Sequence, residues 1–141
     1  MIKNSVTLMG RVGSYRDVQK YETGTVITTI NLGVKRGENK YNNFFIKFFD
    51  KEGVNYSEFF GKIAEGEYIQ VQGSLNVSEW VPEGANPETD KKRKIDIIGY
   101  DATQVTYNQQ LQEWQYTKNY ITADGRTPLG VYRDAEEVPF G

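Results

Sequence analysis

The sequence predicts an all-β fold with one short helix, on three observations. Five segments alternate apolar and polar residues with a period of two, Gly-bearing turns separate them, and the first hundred residues hold a single clear helical pattern. The segment at the centre is Asn43-Phe44-Phe45-Ile46-Lys47-Phe48-Phe49. Phe44, Ile46 and Phe48 share one face and read as core, whereas Asn43, Phe45, Lys47 and Phe49 share the other. An amide, a cation and two phenyl rings suit water plus something flat and anionic. Single-stranded nucleic acid has that chemistry, because bases stack on aromatic rings while cations follow the phosphates. The competing reading is that a helix or a second subunit covers Phe45 and Phe49.

In chain order, Ser5 to Val12 reads as a half-buried strand, with Val6, Leu8 and Val12 inward, Thr7 and Arg11 outward, and Gly10 marking a bulge or a close backbone approach. A polar stretch through Gly13-Ser14 leads to Val18–Glu22, the turn Thr23-Gly24, and the β-branched run Thr25–Val34, in which Val26, Ile30, Leu32 and Val34 share a parity; together these predict a hairpin. Lys35-Arg36-Gly37-Glu38-Asn39-Lys40 follows as an exposed basic loop. After the central strand, Tyr56, Phe59, Phe60 and Ile63 fall at i, i+3, i+4 and i+7, the spacing of an amphipathic helix. Tyr68 to Trp80 returns to period two, predicting Ile69, Val71, Leu75 and Val77 inward and a polar outer face, Tyr68, Gln70, Gln72, Ser74, Asn76, Ser78 and Trp80, resembling a recognition surface. The loop 82–87 leads to Lys91-Lys92-Arg93-Lys94, and Ile95–Tyr100 closes the sheet.

Strand, strand, strand, helix, strand, strand is the order of an OB-fold, a five-stranded Greek-key barrel that binds oligonucleotides on strands two and three and the adjoining loops. The outward rings lie on the third strand, the loop 35–40 precedes it, and the cluster 91–94 precedes the fifth, so separate features converge on one surface. Residues 1–107 are expected to form this domain, 108–132 a polar linker or peripheral extension, and 133–141 an acidic tail. In 101–133 two patterns compete: Tyr107, Leu111, Trp114 and Ile121 fit a helical face, while Trp114, Tyr116 and Tyr120 share a strand parity.

Composition limits the chemistry. The 141 residues contain no Cys and no His, which removes thiol and imidazole catalysis, disulfides and the usual zinc ligands. There are no paired carboxylates in a supporting context, no phosphate-binding Gly loop and no metal motif, so neither an enzyme nor a cofactor or metal is expected. No apolar run reaches 18 residues and no signal-peptide pattern opens the chain, which predicts a soluble, cytoplasmic protein without a membrane partner. Net charge is −2, but Asp134, Glu136 and Glu137 sit in the last eight residues, leaving 17 basic against 16 acidic residues before them. Binding of a polyanion would rest on a local cationic surface and not on bulk charge.

Asn4 to Val12, Thr28 to Val34, Phe44 to Lys51, and Glu65 to Leu75 with the trailing Trp80 resemble four strands of bacterial-type single-stranded DNA-binding proteins, in a divergent form of the kind encoded by bacteriophages. The closing Asp134-Ala135-Glu136-Glu137-Val138-Pro139-Phe140 resembles that family's acidic tip. The resemblance implies sequence-nonspecific binding of single-stranded DNA in replication, recombination and repair. It also implies capture of replication or recombination proteins by the tail, and a homo-oligomer, a tetramer in preference to a dimer, pairing through the first strand. Phe49 and Trp80 match its stacking rings; Asn43 stands where the family often has Trp, with Phe45 to supply that platform instead, and the loop between strands two and three lacks the family's usual Trp, with Tyr41 the nearest ring. Gly141 follows Phe140, whereas the family ends on Phe. The expected nucleic-acid site is thus Arg11, Lys35, Arg36, Lys40, Tyr41, Phe45, Lys47, Phe49 and Trp80, and the partner-binding tail is Asp134, Glu136, Glu137, Val138, Pro139 and Phe140. The alternative readings are an RNA-binding OB module and an OB-fold protein–protein adaptor.

Overall fold

The computed structural model describes residues 4–125, 127, 128, 130 and 131. The chain runs β1 (Val6–Lys20), β2 (Val26–Gly37), β3 (Lys40–Phe49), α1 (Tyr56–Gly61), β4 (Tyr68–Trp80), β5 (Lys92–Asn108) and β6 (Glu113–Ile121). The sheet has the order β3-β2-β1-β4-β5-β6, and a parallel pairing of β3 with β5, Ile46 opposite Ile97 through Phe48 opposite Gly99, closes five of its strands into a barrel. With the helix between β3 and β4, this is the OB-fold arrangement.

Alternation in β2 and β3 fills the barrel as expected. Ile30, Leu32, Ile46 and Phe48 are fully buried, joined by Val12, Ile69 and Val71 from β1 and β4. The helix begins at Asn55, whose side chain accepts from the Glu58 backbone N–H at 3.0 Å, and it drops Tyr56 and Phe60 onto Phe48. Gly10 marks a close approach: a Cβ there would lie 2.3 Å from the Gly33 carbonyl oxygen.

Four expectations need correction. The first two runs are a single strand, since β1 continues through Gly13 and Ser14 by a register irregularity between Val12 and Arg16. Arg16 anchors that irregularity, donating to the carbonyls of Gly13 and Tyr15 and, at 3.2 Å, to that of Ile63. The basic loop is a strand end: Lys35 and Arg36 belong to β2 and Lys40 to β3, leaving only Glu38 and Asn39 in the turn. Similarly, Lys92, Arg93 and Lys94 open β5 and do not precede it. Lastly, Leu75 and Val77 are 40% and 60% exposed. Their parity is the inward one, but β3 pairs with β5 only from Ile97 onward, so Leu75, opposite Ile97, stands at the end of the barrel seam and Val77, opposite Ile95, lies beyond it on a two-stranded arm of β4 and β5 with no interior to face.

The strand alternative holds for 113–121, where β6 pairs antiparallel with β5. Its Trp114 builds a second apolar cluster on the outside of the barrel with Met9 and Val105, flanked by Tyr68, Tyr107 and Val131. That cluster overturns the outer face of early β4 as a recognition surface. Gln70 is 5% exposed and donates to the Gly130 carbonyl at 3.0 Å.

One buried hydroxyl makes stability depend on alkali. Tyr56 is fully buried and donates to the Tyr100 carbonyl at 2.7 Å; burial first, then the carboxylates of Asp101 and Asp50, push its pKa up to about 12. A tyrosine in the unfolded chain ionises near pH 10. Folding therefore favours the neutral form: this contribution is complete below about pH 10 and is lost as the pH rises towards 12. Tyr56→Phe is expected to cost about 1 kcal/mol at neutral pH through the lost hydrogen bond. Urea unfolding should then show the gap between variant and wild type narrowing by about pH 11. A gap that stays constant or widens would contradict the assignment.

Candidate nucleic-acid interface

The outer face of β3 is built by its pairing with β2. Tyr41 stands opposite Lys35, Asn43 opposite Gly33, Phe45 opposite Asn31, Lys47 opposite Thr29 and Phe49 opposite Ile27. Because alternation sends Phe44, Ile46 and Phe48 inward, Tyr41, Phe45 and Phe49 emerge on one side at four-residue intervals, about 13 Å apart. Phe45 is 54% exposed and Phe49 38%, against 0% for Ile46 and Phe48.

A further ring joins them that the sequence did not suggest. Tyr15 meets Phe45 edge to face, with centroids 5.4 Å apart and planes at 88°. It gets there because the β1 irregularity falls beside Asn31, where Gly13 lies against the Asn31 side chain and leaves room above the strand. The visible signal was the Gly13-Ser14 interruption of an otherwise alternating strand.

Charge is arranged around the rings. Lys47 Nζ, across the seam between β3 and β5, and Lys94 Nζ, two residues back on β5 itself, each lie 3.6 Å from Asp96 Oδ1. A groove of about 500 Å³ opens here between β3 and the arm, with Phe45 and Lys47 on one wall and Leu75, Lys94 and Ile95 on the other. Trp80 stands further out on the arm, paired with Lys92, beyond the residues that line the groove. Arg93 is drawn to Glu79 at 2.9 Å.

The expected site is thus brought together in part. Lys35, Tyr41, Phe45, Lys47 and Phe49 share a face, and Trp80 lies apart from it at the end of the arm. Arg11 lies in the same cross-strand row as Asn43 and Gly33 but two strands away from β3. Its Nε donates to the Tyr68 hydroxyl at 2.6 Å and its guanidinium sits 4.9 Å above the Tyr68 ring. Lys40 has the parity of Phe44 and points away from Tyr41, and Arg36 falls at a register irregularity between Lys35 and Gly37. The tail residues Asp134, Glu136, Glu137, Val138, Pro139 and Phe140 lie outside the described residues. Among the described residues there is no group of three or more potential metal ligands, and this face offers rings and cations for stacking and charge pairing.

A protein of Nostoc sp. called single-stranded DNA-binding protein 1 is 28% identical over 109 residues, covering 76% of this chain and 86% of its own length. The chain is similar to single-stranded DNA-binding proteins. A second, from Synechocystis sp., is 28% identical over 126 residues, covering 81% of this chain and 100% of its own. Among solved structures, the Plasmodium falciparum SSB complex with ssDNA superposes with a TM-score of 0.51 at 24% identity, over 70% of this chain and 87% of that one. The mitochondrial single-stranded DNA-binding protein of S. cerevisiae superposes with a TM-score of 0.57 at 12% identity, over 74% and 96%. These structural likenesses establish the OB fold. No family model matches the chain.

Proposed function

We propose that this chain binds single-stranded DNA without sequence preference and without chemistry, as a protecting protein of replication, recombination and repair. The observation that carries the reading is the outer face of β3, where Phe45 and Phe49 are exposed beside Lys47 while Ile46 and Phe48 on the opposite face are fully buried. The names of the Nostoc and Synechocystis relatives support it. An extended strand lies along β3, bases stack on Phe45, Phe49 and Trp80, with Tyr41 beside them, and Lys35 and Lys47 on that face, with Arg36 at the strand end, offset phosphate charge. Every base has a π-face, so sequence preference is small. The test is fluorescence anisotropy of labelled oligo-dT, with matched RNA and duplex DNA as competitors. Saturable, salt-sensitive binding in which single-stranded DNA outcompetes both is expected. Preference for the RNA would make this an RNA-binding module, and self-association without any oligonucleotide affinity would make it a protein adaptor.

The proposal extends to a bacteriophage-encoded protein acting in the host cytoplasm as a homo-oligomer, a tetramer in preference to a dimer. Its support is the resemblance of residues 4–105 and of the closing segment to the bacterial-type family. It extends also to the tail, where Asp134, Glu136 and Glu137 cannot help to hold a polyanion yet precede the apolar Val138-Pro139-Phe140. Charge beside a short hydrophobic hook suits a basic-rimmed pocket on a replication or recombination protein, and Pro139 lowers the ordering cost. Deleting residues 134–141 is expected to leave oligonucleotide binding equal or slightly tighter and stability unchanged, and to abolish capture of such proteins from a host extract. A melting temperature lower by several degrees with no partner lost would instead make the tail part of the fold.

A further inference from the structure

Resting on the nucleic-acid reading, we propose that Asp96 is an internal competitor for phosphate, a carboxylate that occupies the place of a backbone phosphate between Lys47 and Lys94 until a strand displaces it. One oxygen, Oδ1, lies 3.6 Å from both ammonium nitrogens. The placement follows from topology. Asp96 is the residue of β5 just before the parallel seam opens at Ile97 opposite Ile46, so it reaches across to Lys47 on β3, while Lys94, two positions back, shares its face. All three side chains line the groove that Phe45 also lines. Two cations converging on one anion beside an exposed ring is the arrangement a stacked nucleotide with its phosphate would require.

The contacts are those of an exchangeable pair. At 3.6 Å both are longer than a direct charge-assisted hydrogen bond, and Lys94 is largely exposed. Partly exposed ion pairs of this kind add little to stability, so the fold itself gives scant reason for an acid here. Its effect falls on binding. Lysines already matched by a carboxylate neutralise less phosphate charge, so fewer counterions leave the strand on binding and the salt dependence is flatter than the number of cations suggests. Asp96 thus holds the face below its electrostatic maximum and favours release and re-engagement over permanent capture.

The test uses the full chain carrying Asp96→Asn, near in shape but uncharged, titrated with labelled oligo-dT over a range of salt. Binding about three- to tenfold tighter at low salt is expected. The slope of log affinity against log salt should steepen by up to about 1.4, at about 0.7 per recovered phosphate contact, with the melting temperature unchanged. Adding Lys94→Ala to Asp96→Asn should return about half of that slope. Wild type that binds with Asp96→Asn equal or weaker at an unchanged slope overturns this inference alone. So does weakening confined to oligo-dC, which would make Asp96 an acceptor for the cytosine amino group. A fall in melting temperature together with affinity would make it a clamp on the seam and overturn it as well. Wild type that binds no oligonucleotide overturns the function and this inference together.

Discussion

Phe48→Ala is expected to lower the stability of the barrel by about 3 to 5 kcal/mol. The ring is fully buried, with centroids 4.7 Å from Phe60 and 5.1 Å from Tyr56, so it joins the central strand to the helix. On its far side lies Gly99, where a Cβ would come within 2.2 Å of the Phe48 ring. Gly99 thus leaves a space shaped for that ring and has no side chain to refill it once the ring is gone. The cavity term therefore adds to the lost transfer energy. Denaturant unfolding measures it. A loss under about 1 kcal/mol would mean that the site collapses or that Phe48 is not at the centre of the core.

The neighbouring ring is expected to behave in the opposite way. Phe49→Ala and Phe45→Ala should each weaken oligo-dT binding by about 1 to 3 kcal/mol, the range for loss of one stacked base. Stability should change far less than on Phe48→Ala, by about 1 kcal/mol, because Phe45 is 54% and Phe49 38% exposed and less burial is lost. Phe45 has the larger expected effect on binding, since Tyr15 holds its edge and reduces the freedom lost when a base settles on it. If either substitution unfolds the protein, or if binding survives both together, the outer face of β3 is not the stacking platform.

What the sequence made legible is the local alternation, and β3 is the best case. Period two separated Phe48 from Phe49 correctly, because a fully paired strand forces successive side chains to opposite sides. The same rule misplaced Leu75 and Val77. Alternation tells which face a residue takes but not where the barrel ends, and those two sit on the correct face at and beyond the end of the barrel seam. Tyr15 and Arg16 were illegible for a related reason. A register irregularity shifts side chains relative to the neighbouring strand, and neither the Tyr15–Phe45 contact nor the Arg16 anchor follows from spacing within β1 alone.

The outer cluster was hidden because Met9 on β1 and Tyr68 on β4 are far in sequence from Val105 and Trp114 of the β5–β6 hairpin, and each alone reads as a single exposed apolar residue. In the site, the rings and Lys47 were legible from parity. The commitment of Arg11 to Tyr68 and of Lys47 to Asp96 was not, since those partners meet only when the strands close.

Ultraviolet crosslinking of oligo-dT to the full chain, with the attached peptides mapped by mass spectrometry, tests the central claim most directly. The chain also carries a groove of about 330 Å³ between α1 and β6, lined by Phe59, Lys62, Lys118 and Tyr120, which offers rings and cations in a different place. Adducts are expected at Phe45 and Phe49, with Tyr15, Tyr41 and Trp80 at the margins, and none at Phe59 or Tyr120. Adducts confined to Phe59 and Tyr120, with β3 unmodified, would contradict the assignment of the outer face of β3 as the nucleic-acid surface.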